Sequence, residues 1–541
     1  MITAAVQESA RPADQRQILK ALSGLLLALF VATLSSTVVS TALPRIIGAL
    51  HGSPAQYTWV VTATLLTATA STPIWGKLGD LFSKKLLVQA AVAVFVLGSV
   101  AAGFSQTAGQ LITARAVQGI GVGGVQSLVQ IAIAAMIAPR DRGRFSGYLS
   151  SVTAASTIGG PLLGGLIVDT SWLGWRWCFF IGVPIAAIAS VLLERTLRLP
   201  VIRRANVKID YAGATLIAAG VSLVLIWVSF VDDSFAWASW QTAAMVGGAL
   251  VLLALALWVE TRAAEPVVPL GIVRQRTTAL SILGSLAVGT AMFGSSVFLS
   301  QYFQISRGYT PTHAGLLTIP MMSGILLSST VAGRLISRTG RIKPFIVAGA
   351  VLLAAGFAGL GVIDQHTSLI FMSVAMALVG MGVGMTMQNL VLVVQNTVPL
   401  KDVGAASSTV SFFRSLGGTI GVAVLGAILA REVTRDLTSG GLPTSGGGSL
   451  NAGTQPPAVQ EIIRAAYGDA TGHIFLISAG IAVIAIVAAL LLKPVTLRTS
   501  LDLADIARSA AVAADAADGA PPFDQVATGT GPARRTSGET A

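Results

Sequence analysis

Gly76-Lys77-Leu78-Gly79-Asp80-Leu81-Phe82-Ser83-Lys84-Lys85 lies between two long apolar runs, 57–75 and 86–104. A connection this short, carrying one acid and three bases, reads as a tight hairpin at a membrane surface. Gly76 and Gly79 let two helix ends approach closely. Asp80 is placed to accept from the free N–H groups that open the next helix and to complement its dipole. Lys84 and Lys85 suit a cytosolic face, where basic residues collect. An ordinary topology-setting loop would share these features. What sets this one apart is its return 257 residues later as Gly333-Arg334-Leu335-Ile336-Ser337-Arg338-Thr339-Gly340-Arg341, again between two apolar runs. The repetition indicates an internal duplication.

The rest of the composition fits a polytopic, all-α membrane protein. Of 541 residues, 53% are hydrophobic and only 11% are charged. Soluble domains carry roughly 25% charged residues, so fewer than half the usual charges remain, and they cluster between apolar runs. The net charge of +12 would point a soluble protein toward nucleic acid; here membrane topology accounts for it, and no nucleic-acid partner is expected. The single cysteine, Cys178, excludes an intrachain disulfide and a cysteine-rich metal site. No cleavable leader is expected, because the first apolar run is too long and lacks a small-residue cleavage site. Abundant Ala, Gly and Arg hint at a GC-rich bacterial genome.

A span needs about 20 mostly apolar residues, and fourteen such runs can be read, the first at 20–43 and the last at 472–492. With the N-terminus inside, cytosolic segments hold 27 of the Lys and Arg residues and outer segments six. That asymmetry puts both ends in the cytosol. The duplicated loop follows span 2 in one copy and span 10 in the other, so the predicted plan is 6+2+6. A cytosolic segment 1–19 precedes a six-helix half at 20–197. Two extra spans with flanking loops follow at 198–277, then a second six-helix half at 278–492. Within it, 432–469 is expected to be a flexible external loop, and 493–541 a disordered cytosolic tail.

Several motifs resemble the major facilitator superfamily, specifically its fourteen-span drug:proton antiporter group, from about residue 20 to 492. Gly76–Lys85 is similar to that superfamily's loop between spans 2 and 3, with Leu81 in place of a base and Ser83 in place of a glycine. The resemblance implies a conformational gate at Gly76, Gly79, Asp80, Lys84 and Lys85, and Arg144 in the next cytosolic loop is the expected partner of Asp80. Arg115-Ala116-Val117-Gln118-Gly119 resembles the family's span 4 signature. Gly160-Pro161-Leu162-Leu163-Gly164-Gly165 resembles its exporter motif, in which proline bends the helix and glycines admit a neighbour. Phe413-Arg414-Ser415-Leu416-Gly417-Gly418 is also similar to the group and supplies a second buried base. Buried bases in spans are costly and usually functional, although a structural arginine bonded to carbonyls fits the same pattern.

This chain departs from the group in span 1, where the usual acid is Ser35 and the usual amide is Ser40. No acid falls in the middle third of any span. The expected cavity lining is therefore mild: Ser35, Thr37, Ser40, Thr64, Gln118, Gln126 and Asn389 among apolar side chains, with Arg115 and Arg414 nearby. Such a lining suits neutral, zwitterionic or anionic amphiphiles better than lipophilic cations. The resemblance implies an alternating-access exporter of amphipathic small molecules, of the multidrug-efflux type, driven by the proton gradient and working as a monomer in a bacterial plasma membrane. Export of a cell-envelope lipid or lipid-like amphiphile is the alternative. No catalytic constellation, metal spacing or nucleotide loop is present, so an enzyme is not expected, and no cofactor beyond the proton gradient is implied.

Overall fold

A computed structural model describes residues 15–497 apart from 52–53, 138, 171, 198–209, 232–234, 264–265, 269, 310, 400–401, 440–456 and 496. The expected segment 1–19 lies mostly outside these residues, and so does nearly all of the 493–541 tail. The described chain is helical because a run this apolar can satisfy its backbone in lipid only within itself.

The first half comprises α1 (Gln15–Ala49), α2 (Pro54–Leu81), α3 (Lys84–Gly103), α4 (Ala108–Met136), α5 (Pro139–Asp169), the short α6 (Trp177–Phe180) and α7 (Gly182–Thr196). Then come α8 (Tyr211–Phe230), α9 (Trp240–Glu260) and a single turn, α10 (Leu270–Val273). The second half holds α11 (Arg276–Gln301), which runs into a π-turn at Tyr302–Ser306, then α12 (Pro311–Leu317) and α13 (Ile319–Thr339). It closes with α14 (Lys343–Leu360), α15 (Leu369–Thr397), α16 (Val403–Ser439) and α17 (Pro457–Leu491). Side-chain caps start several helices: Thr107 accepts from Gln110, Asp210 from Gly213 and Ser239 from Thr242. Gly340, at φ +69°, ends α13 in the left-handed conformation that glycine adopts without strain.

Among the described residues, 12 helices are long and apolar enough to cross a membrane. Two more, α2 and α5, reach 28 and 31 residues. Helix α2 falls short in apolarity because it is threonine-rich, whereas α5 follows its opening charges with a long uncharged run at 145–168.

The main cores divide between two stretches of the chain. Two hydrophobic clusters draw only on residues 21–197, and a third draws only on residues 287–497. Each half thus has its own interior. The halves meet along two helix pairs, α2 with α16 and α5 with α13. A smaller cluster bridges them, setting Ala134 of α4 beside Ile282, Val391, Val394, Val403 and Val410. Helices α8 and α9 pair with each other, and α8 lies over the α2–α16 seam through Val221, Leu225 and Phe412. Outward, α9 presents Leu250, Val251, Leu255 and Trp258.

One expectation is corrected. Residues 432–439 and 457–469 are not loop but helix, the end of α16 and the start of α17. Charged residues there alternate with Val433, Leu437, Ile463 and Ala466, which are buried. That spacing gives each helix an apolar stripe to bury beyond the lipid-length run. Residues 440–456 lie outside the described set.

Candidate functional site

The gate motif is not a loop. Helix α2 runs through Gly76 and Asp80 to Leu81, so Asp80 projects from its last turn across the seam. The carboxylate accepts from the backbone amides of Gly404, at 2.8 Å, and Ala405, at 2.7 Å. These are among the first N–H groups of α16, free of intrahelical partners and at the positive end of its dipole. The sequence reading had the helix start right but the helix wrong. Asp80 caps α16, 324 residues away, while Ser83 occupies the N-cap position of α3 without a side-chain cap bond. The side chain of Arg144, the partner expected for Asp80, lies outside the described set.

Close packing explains the glycines. A Cβ at Gly404 would run into the Asp80 carboxylate and come within 2.7 Å of the Gly76 carbonyl oxygen. A Cβ at Gly76 would collide with Ser408. Gly79 faces its own half instead, where a Cβ would sit 3.2 Å from Leu128 and Ile131. Lys84 lies near Asp80. Lys85 does not join the gate. It pairs with Glu194 at 2.8 Å and with that residue's carbonyl, tying α3 to α7 within one half.

Two further contacts cross between the halves at the same end of the bundle. Arg142, counted from sequence as one of three loop bases, is buried. Its guanidinium donates to the carbonyls of Ala134 and Ile137, at the end of α4, and to Gln395 Oε1 of α15 at 2.9 Å. Gln395 in turn donates to Ser407 of α16 at 2.9 Å. Ser411 of α16 donates to Gln130 of α4 at 3.4 Å. Here too, a Cβ on Gly147 of α5 would come within 2.6 Å of Thr330 Oγ1 on α13. The end carrying Asp80, Lys84 and Arg142 is therefore closed by polar contacts around the Val–Ile cluster. Arg142 was missed because nothing in sequence distinguishes a buried loop base from a solvated one.

Lys77, within the gate motif, is buried, and its charge reaches Glu260 at the end of α9. Glu260 accepts from the amides of Val267 and Val268, both at 3.2 Å, and feels the nearby Asp210 that caps α8.

Most of the expected cavity lining lies between helices of the first half. Arg115 Nη1 donates to Gln118 Oε1 at 2.6 Å, and Gln118 Nε2 donates to Ser35 Oγ at 3.0 Å and Ser99 Oγ at 2.7 Å. Thr64 donates to the Arg115 carbonyl at 3.2 Å, and Thr37 to the Ser156 carbonyl at 3.0 Å. These short polar side chains fasten α1, α2, α3 and α4 and the α1–α5 seam, because in an apolar bundle a hydroxyl finds a good acceptor on the neighbouring helix. Gly160 of the exporter motif serves the same seam, since a Cβ there would strike Thr37. Gly164 is buried and Gly165 has open space beside it. The side chains of Ser40 and Pro161 lie outside the described set. Gln126 is exposed, one turn from Gln130 on the same face of α4. In the second half, Arg414 is buried with Nη1 unbonded. Asn389 donates to the Met385 carbonyl, yet its Oδ1 has no partner.

A profile described as Major Facilitator Superfamily matches residues 25–422, from α1 into α16. The chain belongs to that superfamily. It is 37% identical over 489 residues to an uncharacterized MFS-type transporter of Mycobacterium tuberculosis, covering 89% of this chain and 70% of the relative. It is 33% identical over 409 residues to the multidrug transporter protein MdtP of Bacillus subtilis, covering 75% and 74%. The solved structure of the proton:xylose symporter XylE superposes with a TM-score of 0.59 at 15% identity, over 91% of this chain and 99% of that one, which supports the fold alone. This superfamily member is a multi-pass membrane transporter, not an enzyme.

Proposed function

We propose that the chain is an alternating-access secondary exporter of amphipathic small molecules, driven by the proton gradient across a bacterial plasma membrane. The observation that carries this reading is the seam. Two halves with separate cores are joined at one end by a few polar contacts, Asp80 to α16, Arg142 to Gln395 and Gln130 to Ser411. Contacts of that kind can be broken and remade without unfolding either half, as rocking requires. The relative named a multidrug transporter supports export as the direction.

In this reading α2 and α5 also span, giving fourteen helices in the 6+2+6 plan, with the closed, base-rich end in the cytosol. Their lengths and their places between the other helices favour it. Export is tested in inverted membrane vesicles with a fluorescent amphiphile under an imposed pH gradient. Uptake that collapses with a protonophore is expected. Uptake indifferent to the gradient would sink proton coupling, and none with any amphiphile would sink export.

A further inference from the structure

The second half contains a buried polar junction that nothing in its own structure satisfies. Arg414 of α16 is 7% exposed and Asn389 of α15 is 3% exposed, while Ser285 of α11 is 1% exposed. Among the described residues, Arg414 Nη1, Asn389 Oδ1 and Ser285 Oγ are shut from solvent without a hydrogen-bond partner. The three helices that carry them pack against one another. A Cβ on Gly284 of α11 would rest 3.3 Å from Leu390 of α15, and a Cβ on Gly289 would run into the Arg414 carbonyl. Each orphaned group is therefore on, or within a turn of, a residue at these helix crossings.

Helical period gives the junction a floor. Ser407 of α16 is bonded to Gln395 of α15 in the closed end. Seven residues along each antiparallel helix, on the same faces, come Arg414 and Gln388, about 10 Å deeper at 1.5 Å per residue. The helices that carry these groups supply no counter-charge at this depth. Helices α11 and α15 contain no acid, and α16 has none before Glu432. An unpaired guanidinium in such a core is strongly unfavourable, and each orphaned buried group calls for a partner that is not protein. Arg115 in the first half is the contrast, for it is bonded to Gln118 and to the Val60 carbonyl.

We infer that Arg414, Asn389 and Ser285 form a subsite for the anionic head of an amphiphile, an oxyanion with an N–H or O–H donor beside it. The oxyanion accepts from the Arg414 guanidinium and the Ser285 hydroxyl, and the adjacent donor bonds to Asn389 Oδ1. The site opens to the cytosol when the Ser407–Gln395–Arg142 and Gln130–Ser411 contacts part. This names a substrate class for the export reading and rests on it.

The test uses the purified full chain and two probes of one scaffold. 8-Anilinonaphthalene-1-sulfonate carries a sulfonate and an N–H, and N-phenyl-1-naphthylamine carries the N–H alone. Arg414→Gln is expected to weaken sulfonate binding by about tenfold or more, the scale of a lost charge-assisted bond, while the neutral probe changes by less than about twofold. Arg414→Lys should recover part of the loss. Ser285→Ala, a small change that the core tolerates, should cost the sulfonate about threefold. Loss of both probes alike in folded Arg414→Gln, or of neither, would overturn the subsite and leave these groups to buried water. Transport of the same probes into inverted vesicles separates the two readings. Arg414-dependent binding without any transport overturns export and keeps the subsite, and transport of both probes unaffected by Arg414→Gln does the reverse.

Discussion

Replacing Asp80 with asparagine should open the closed end of the bundle. In the native chain one carboxylate takes two amide hydrogen bonds, at 2.8 and 2.7 Å, from the start of α16. Hydrogen bonds to a charged group contribute about 1.5–3 kcal/mol each, and an anion at a helix N-terminus adds about 0.3–1 kcal/mol. Asparagine is nearly isosteric and keeps one acceptor oxygen, so it forfeits one bond and the charge. The closed state then loses about 2–4 kcal/mol, a shift of roughly 30- to 1,000-fold in a two-state equilibrium. A cysteine introduced at Ser411, which is 7% exposed in the seam, reports that shift by its maleimide alkylation rate. The native Cys178 is buried and leaves a low background. Asp80→Asn should raise the rate by at least tenfold and abolish transport with normal membrane insertion. An unchanged rate would refute the clasp, whatever happened to transport.

Gly404→Ala should act in the same direction, because its Cβ would occupy the space of the Asp80 carboxylate and the Gly76 carbonyl; alkylation at position 411 should rise without any change of charge. Arg142→Met removes the bonds to Ala134, Ile137 and Gln395 and takes the guanidinium donors from the Ala134 and Ile137 carbonyls, at about 1–3 kcal/mol each; a thermal-shift assay should show a clearly lower melting temperature. Lys85→Ala removes only an exposed pair with Glu194, of the kind that contributes about 0–1 kcal/mol, so melting temperature and efflux should stay close to those of the native chain; a strong efflux defect would return Lys85 to the gate.

The first stretch quoted shows how far sequence reaches. The scarcity of charge forces a membrane protein, since so few charged residues cannot cover a soluble surface of this size. The repeat at Gly333–Arg341 announces two halves, and the separate cores follow it. Asp80 stands out because a carboxylate beside two glycines at a membrane surface needs donors. Which donors was undetermined by sequence. Free amides at a helix start look alike in every helix, and only folding brings Gly404 and Ala405 to residue 80.

The same limit governed the polar residues. Ser35, Thr64 and Gln118 have the composition of a cavity wall, but a hydroxyl or amide in an apolar bundle bonds to the nearest helix as readily as to a substrate. In the folded bundle Thr64 and Gln118 bond to neighbouring helices, and Ser35 accepts from Gln118. Arg142 counted as one more loop base until the end of α4 supplied two carbonyls to hold it. Sequence fixes how many polar groups a bundle must satisfy; the tertiary structure decides which remain open, because that depends on helix register, and for Arg414 and Asn389 the register leaves an atom of each unanswered.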